Sequence, residues 1–237
     1  MDIREHINKA TGNALKHHRV IEGGCNHGGV YYLMFGNMKK KTTIICKVKE
    51  GEEKKVLGVS KPLKIGHAND CCISGSIIYV THSGEKNVIH RVSANTLEKL
   101  PDVYVTGCKG GFNAITCFGT GFLVKKMASR KCYVLDDLLR YKKTITLSTT
   151  MKVGQGMHWD PKRARLFRAS SVGQSKKNYV CVYKANGKLV KKYHYKHKCE
   201  LEDVMTNSAG HVVMTIYRKK KTKQGKKFRA HLKTLVK

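Results

Sequence analysis

The sequence predicts an all-β protein, a five-bladed β-propeller, from a repeated motif, its spacing and the strands that follow it. The fullest copy is Gly66-His67-Ala68-Asn69-Asp70, followed by Gly75 and the apolar run Ile77–Val80. Diverged copies lie near residues 28, 113, 156 and 202, so successive copies are 41, 44, 43 and 46 residues apart. A period of about 40–45 residues with about four strands per unit is typical of propeller blades. Five units fit 237 residues, which predicts one domain over 1–237.

Short β-branched and aromatic runs between turn residues predict the strands of each unit. In chain order these are Val30–Phe35, Thr42–Val48, Val56–Val59, Ile77–Val80, Val88–Val92, Val103–Val105, Phe122–Val124, Cys132–Leu135, Thr144–Leu147, Ala164–Phe167, Tyr179–Tyr183, Leu189–Tyr195, Val212–Tyr217 and Phe228–Val236. The Asn186-Gly187 pair between two such runs is the strongest hairpin signal in the chain.

The fifth unit has one strand fewer than the others, which raises the question of how the ring closes. Residues 1–14 predict an N-terminal arm, either a short helix or irregular chain. The following segment, Leu15–Ile21, reads as extended, and we expect it to pair with the last blade. Such pairing of the two termini protects strand edges that are otherwise open to aggregation. The basic run 218–227 is then the tip of a hairpin.

The charge is extreme for a chain of this size. Lysine and arginine number 47 against 16 aspartate and glutamate residues, a formal net charge of +31. Such a surface attracts polyanions, with a strength that falls as salt rises. The alternative is a solvated lysine-rich surface without a specific partner. The residues predicted to contact a polyanion are Lys39, Lys40, Lys41, Lys219, Lys220, Lys221, Lys223, Lys226, Lys227 and Arg229.

Polar residues of the repeated motifs are expected to converge near the central channel. They are His27, His67, Asn69, Asp70, Asn113, Gln155, His158, Glu200, Glu202 and Asp203. Oxygen ligands from several blades make a calcium site possible, although no cofactor is firmly indicated. The alternative is that these side chains hydrogen-bond neighbouring blades to one another. Glu200, Glu202 and Asp203 are three acids within four residues, a cluster that is costly without a cation or basic partners.

Motifs of known enzyme families are absent from the sequence. It contains no G-x-S-x-G, P-loop, H-E-x-x-H or Rossmann glycine pattern. His67 with Asp70 or Cys71, and His158 with Asp203, are weak candidate pairs. The nine cysteines include no C-x-x-C pair, so we expect small core residues in a reducing compartment rather than a zinc site. The sequence therefore favours a binding protein over an enzyme.

The amino terminus, Met1–His6, lacks the apolar region of a signal peptide, and no apolar run approaches a membrane span. As given, the chain looks cytosolic, or its export signal was removed. The compartment is therefore left unassigned.

Four phrases resemble the blade-start motifs of small β-propellers of Gram-positive bacteria, some grouped with helveticin-J-like bacteriocins. The phrases are Glu22–Asn26, Gly66–Asp70, Gly154–Met157 and Glu200–Val204. The resemblance spans roughly residues 20–237 and implies a binding or cell-wall-associated role. We therefore expect a non-enzymatic protein that binds a polyanion. A bacterial cell-envelope polymer is the preferred ligand, and nucleic acid is the next. The alternatives are a scaffold and a metal-assisted hydrolase with acids at the channel, similar to calcium-dependent lactonase propellers.

Overall fold

A computed structural model describes residues 2–82, 84–149, 153–222 and 225–236. In these ranges the chain forms one helix and five antiparallel sheets, which confirms the predicted five-bladed β-propeller. The first strand of each sheet contacts the first strand of the next, and the fifth contacts the first, so the sheets close into a ring. Each blade is made from one continuous stretch of chain.

The elements begin with helix α1 (Ile3–Ala10). Blade one contains β1 (Val20–His27), β2 (Val30–Asn37), β3 (Thr42–Lys49) and β4 (Val56–Val59). Blade two contains β5 (Asp70–Ser74), β6 (Ile77–Thr81), β7 (Val88–Ser93) and β8 (Lys99–Tyr104). Blade three contains β9 (Ala114–Phe118), β10 (Gly121–Lys125), β11 (Lys131–Leu135) and β12 (Tyr141–Thr146). Blade four contains β13 (Gly154–Asp160), β14 (Arg165–Ser170), β15 (Asn178–Lys184) and β16 (Leu189–Tyr195). Blade five contains β17 (Glu200–Thr206), β18 (Val212–Thr222) and β19 (Gly225–Val236).

The innermost strands are β1, β5, β9, β13 and β17, and they hold the repeated motifs. The expectation that the strands only follow these motifs is wrong, because the motifs contribute to the first strand of each blade. Glycines and acids have low strand propensity, so they masked the strands. They are tolerated here because their polar groups bond to one another across the axis.

The predicted closure by an N-terminal strand is also wrong. The fifth sheet has three strands in the described residues, and residues 15–19 belong to none of them. Helix α1 instead buries Ile3 and Ile7 in a core cluster that also contains Leu15 and Ala230 of β19. Asp2 Oδ1 accepts a hydrogen bond from the Ala230 amide at 3.1 Å, so the N-terminal arm caps this edge.

The last hairpin projects as predicted, with β18 paired to β19 as far as Thr222 opposite Gly225. Arg218 lies opposite Arg229 and Lys220 opposite Lys227. Like charges directly opposite one another destabilise a sheet. Lys223 lies outside the described residues.

Apolar side chains between neighbouring blades form the core. All nine cysteines are free thiols and seven are buried, in agreement with their predicted role as core residues. The Sγ atoms of Cys25 in blade one and Cys71 in blade two are 3.4 Å apart. Among the described residues, α1 is far too short and polar to span a bilayer.

Candidate functional site at the propeller axis

Two fully buried carboxyl groups, those of Asp70 and Asp203, bind one backbone amide from every blade. We call these two side chains and the five amides the axial layer. Asp70 Oδ2 accepts from Ile115 at 2.9 Å and from Met157 at 3.0 Å. Asp203 Oδ2 accepts from Gly24 at 2.9 Å. The remaining oxygens each accept from the next residue in their own strand, Cys71 and Val204, at 2.7 Å. The layer therefore links all five innermost strands.

The two carboxyl groups also hydrogen-bond to each other, which requires a proton between them. Burial raises the pKa of Asp70 to about 7, against the effect of its amide donors. Burial and the neighbouring Asp70 raise the pKa of Asp203 well above its usual range. Two carboxylates this close cannot both be ionised without large cost, so the pair retains a proton near neutral pH.

Small residues in the other blades make room for this pair. A Cβ atom at Gly156 would overlap Asp203 Oδ1. A Cβ atom at Gly23 would lie 2.9 Å from the Asn69 carbonyl oxygen and 3.1 Å from Asp203 Oδ2. The third small residue at this level is Ala114. The axial layer thus alternates two acids with three residues that have little or no side chain.

The five amide donors define the true register of the repeat. Gly24, Cys71, Ile115, Met157 and Val204 are equivalent, so the residues two positions earlier are Glu22, Asn69, Asn113, Gln155 and Glu202. We call the latter five the mouth ring. The predicted register agrees in three blades but is displaced in two, where it used Gly28 and Gly156. Glu22 was therefore missed as a site residue.

Strand irregularities occur at three of the five mouth-ring positions. The pairing of β1 with β2 skips Glu22, and the pairing of β17 with β18 skips Glu202. In β13 the irregularity lies between Gly154 and Met157, around Gln155. A bulge adds an unpaired residue and changes the direction of its side chain, and bulges are over-represented beside active sites.

A cavity of about 340 Å³ opens at this end of the axis. We call it the mouth cavity; its walls are Val20, Glu22, Met38, His67, Asn69, Met127, Val153, Gln155, Glu200, Glu202 and Tyr217. Glu22 Oε2 lies 3.1 Å from His67 Nε2. The Glu22 side chain is only 2% exposed, and its Oε1 atom is buried without a hydrogen-bond partner. Buried carboxylate oxygens are normally bonded, so an unpartnered one on a residue that lines a cavity requires an explanation.

The acids of the mouth cavity influence one another. Burial, reinforced by Glu22 and Glu200, raises the pKa of Glu202 well above its usual range. Burial also raises the pKa of Glu200, although Gln174 donates a hydrogen bond to it. Burial disfavours a charged His67, but the hydrogen bond to Glu22 and the nearby charges of Glu22 and Glu200 together outweigh burial and raise the pKa of the imidazole. The cavity therefore holds carboxyl groups that a positive ligand can ionise.

Several predicted channel residues have other positions. Asp70 and Asp203 lie in the axial layer rather than the cavity, and Asn113 is turned to donate to the Gly154 carbonyl oxygen at 2.8 Å. His27 is exposed at the far end of β1, and His158 is not among the residues that line the cavity. Across the described residues, no three His, Cys, Asp or Glu side chains are grouped to hold a metal ion.

Lys39 and Lys40 of the first predicted lysine cluster line a second cavity of about 350 Å³. No basic residue of the second cluster is among the described residues that line it. We call it the basic groove; its walls are His17, Arg19, Val20, Gly36, Asn37, Met38, Lys39, Lys40 and Phe228. Lys39 and Lys40 come from the β2–β3 turn, and Phe228 from the last hairpin between Lys227 and Arg229. The Arg19 guanidinium lies 5.2 Å from the centre of the Phe228 ring. Among the described residues that line it, none is acidic.

The fold and the axial site define the chain as a five-bladed β-propeller with an acidic cavity at one end of its axis. Solved structures share the fold. Glutaminyl cyclase from Myxococcus xanthus matches with a TM-score of 0.63 and 10% identity, over 92% of each chain. A streptogramin B lyase matches with a TM-score of 0.50 and 13% identity, over 89% of this chain and 68% of its own.

Hydrazine synthase from Kuenenia stuttgartiensis matches with a TM-score of 0.50 and 14% identity, over 91% of this chain and 63% of its own. No protein-family model and no curated protein sequence matches the chain. At these identities the similarity establishes the fold alone.

Proposed function

We propose that the mouth cavity binds a small molecule through a protonated amine. The observation that carries this proposal is the buried, unpartnered Oε1 atom of Glu22, in a cavity that also contains Glu200 and Glu202. An ammonium group supplies up to three donors and a positive charge to such acceptors. Neighbouring carboxyl groups that repel one another gain most from a cation placed between them.

The same geometry provides acid–base chemistry. With an ammonium bound, a Glu202 carboxylate can accept one N–H proton, which leaves a neutral amine with a free electron pair. Proton transfer of this kind is efficient when the pKa of the side chain lies near the working pH, and the raised pKa of Glu202 moves it in that direction. A neutral amine is a nucleophile, so the cavity suits an amine-transferring or cyclising enzyme.

Calorimetric titration with butylammonium, with butanol as the uncharged control, tests binding. We expect affinity to rise with pH because the ligand competes with protons for Glu202. We also expect proton release, measured as a binding heat that changes with the ionisation enthalpy of the buffer. Glu202→Gln should abolish the proton release and lower affinity at least about tenfold, or about 1.4 kcal/mol. Glu98→Gln, at an exposed acid far along the sequence, is the matched control. Equal binding of butanol would refute an ammonium site.

The name of one structural neighbour suggests a substrate to try for catalysis. Peptides that begin with glutamine can be incubated with the protein and assayed for ammonia release. A lower kcat for Glu202→Gln at saturating peptide, beyond its loss of affinity, would establish the acid–base role. No turnover with intact butylammonium binding would leave a binding protein and exclude this reaction.

A second candidate is the expected polyanion binding, now centred on the basic groove. The observation that favours it is that Lys39, Lys40 and Arg19 line one groove whose wall also contains the aromatic ring of Phe228. A glycerol phosphate polymer of the cell envelope is the first choice of ligand, and single-stranded nucleic acid stacked on Phe228 is the second. The resemblance to small propellers of Gram-positive bacteria supports the first.

The salt dependence of binding tests this second candidate. Lys39→Gln with Lys40→Gln should weaken binding to the polymer and reduce the slope of log K against log salt by about 0.7–0.9 per lost contact. Lys54→Gln with Lys55→Gln, an exposed pair in another turn of blade one, is the control. Equal slopes for both double variants would exclude the groove as the binding surface.

A further inference from the structure

The mouth cavity and the basic groove lie side by side at the same end of the propeller. Val20 and Met38 form part of the wall of both. Tyr217 of the mouth cavity stacks on Phe228 of the basic groove, with ring centres 6.3 Å apart and planes inclined by 15°. A negative site and a positive site are therefore continuous.

The wall between them is only backbone thick at Gly36. This residue lines the basic groove, and a Cβ atom placed on it would lie 2.7 Å from Glu22 Oε1. The unpartnered oxygen of the mouth cavity is therefore close to the floor of the groove. Met38 is 60% exposed, an unusual state for a large apolar side chain. It lines both cavities, and the methionine side chain is flexible enough to adapt to a ligand.

The overall charge adds a constraint on the ligand. A simple cation approaches a protein of net charge +31 against long-range repulsion. A molecule that also carries a negative group does not meet this barrier. Its negative group has a place to bind, since Lys39, Lys40 and Arg19 are exposed around the groove.

We propose that the two cavities are one bipartite site for a zwitterionic ligand that carries an ammonium group and a phosphate group. The ammonium binds Glu22 and Glu202, and the phosphate binds Lys39, Lys40 and Arg19. Arg19 and Glu22 are three residues apart in the chain, so their Cα atoms are at most roughly 10 Å apart, and the linker of the ligand must be of comparable length. An aminoacyl ester on a polyol phosphate chain has this chemistry. This inference depends on the proposed ammonium site.

A series of aminoalkyl phosphates with two, four and six methylene groups tests the bipartite site by calorimetry. The two groups of one ligand act at high effective concentration if the linker spans both sites. We expect the longest to bind at least about tenfold more tightly than either butylammonium or inorganic phosphate, and the shortest to show little gain. A flat series, no tighter than butylammonium, would overturn the bipartite site while leaving the ammonium site intact.

Variants separate the two halves. Lys39→Gln with Lys40→Gln should reduce the six-carbon ligand to the affinity of butylammonium, whereas Glu202→Gln should reduce it to that of phosphate. Lys54→Gln with Lys55→Gln should change neither. Failure of butylammonium itself to bind would refute the proposed function, and with it this inference. A polyol phosphate polymer compared before and after alkaline removal of its aminoacyl esters then tells whether a polymer or only a small molecule is bound; both results support the site.

Discussion

The axial layer and the mouth ring are one residue apart along each innermost strand, yet their acids are in opposite states. Asp203 is fully buried and both its oxygens accept backbone hydrogen bonds. Glu22 is as deeply buried, but one of its oxygens has no partner. Burial alone therefore does not distinguish a structural acid from a functional one. The number of satisfied hydrogen bonds separates the two acids, because an unmet buried acceptor costs stability that a bound ligand or water can recover.

The largest expected difference in stability is between substitutions of two adjacent residues of β17, Asp203 and Glu202. Asp203→Ala removes the acceptor of two buried amides and the partner of Asp70, and should cost about 3–5 kcal/mol of unfolding free energy. Glu202→Gln removes a carboxyl group that burial already disfavours as a charge, and should cost less than about 1 kcal/mol. Urea unfolding measures both. Similar losses would show that the two layers do not differ in role.

The pH dependence of stability follows from the shared proton. The pKa of Asp70 is raised to about 7 in the folded protein from an ordinary value of 3.8. Its contribution is complete below pH 4 and is lost as pH rises through 7, by up to about 1.4 kcal/mol per pH unit. Urea unfolding from pH 5 to pH 8 should therefore show falling stability, with a shallower slope in Asp203→Asn. Parallel slopes would exclude a proton shared by this pair.

A methyl group added to the axial layer should lower the stability of the protein by steric overlap, without removing a hydrogen bond. Gly156→Ala places its Cβ against Asp203, and overpacking of this kind costs about 1–3 kcal/mol. Gly58→Ala is the control, because its Cβ meets only side-chain carbons at 3.7 Å. The melting temperatures of the two variants are compared. Equal melting temperatures would show that the space beside Asp203 does not require a glycine at position 156.

The smallest effect concerns the last hairpin, outside both layers. Lys220→Glu replaces a like-charged pair with Lys227 by an opposite one and should stabilise the protein by about 0.2–1 kcal/mol. Lys219→Glu lies opposite Phe228 and should not gain this pairing. Equal changes in both variants would mean that overall charge, rather than the cross-strand pair, governs the hairpin.

Local sequence patterns predicted most of the strands and the number of blades. Runs such as Ile77–Val80 have strand propensity wherever they occur, and turns such as Asn186-Gly187 set their spacing. The prediction of a closing strand was wrong for a physical reason. The apolar residues of Leu15–Ile21 indicate burial, and packing against a helix can bury them as well as pairing in a sheet. Ile3 and Ile7, one helical turn apart, pointed to that helix.

The site was predicted in part, since Asn69, Asp70, Glu202 and Asp203 were all expected near the axis. The predicted register is wrong in blades that have a small residue where other blades have an axial acid, as with Gly156 beside Asp203. The sequence does not reveal the bulges, because a residue is extra only by comparison with the residues that pair with it on the partner strand. A search for a polar residue two positions before each axial amide would have found Glu22.

Each blade is built from consecutive residues, and the N-terminal arm only caps the edge of the last sheet, which has a consequence for how the chain folds. Since no strand is exchanged between the first and last blades in the described residues, most pairing is between near neighbours in sequence. Pairing within short stretches of chain allows each blade to form as it is synthesised. The axial aspartates of blades two and five, and the contacts of blade five with blade one such as Ser208 with Glu50, require the whole ring to be present.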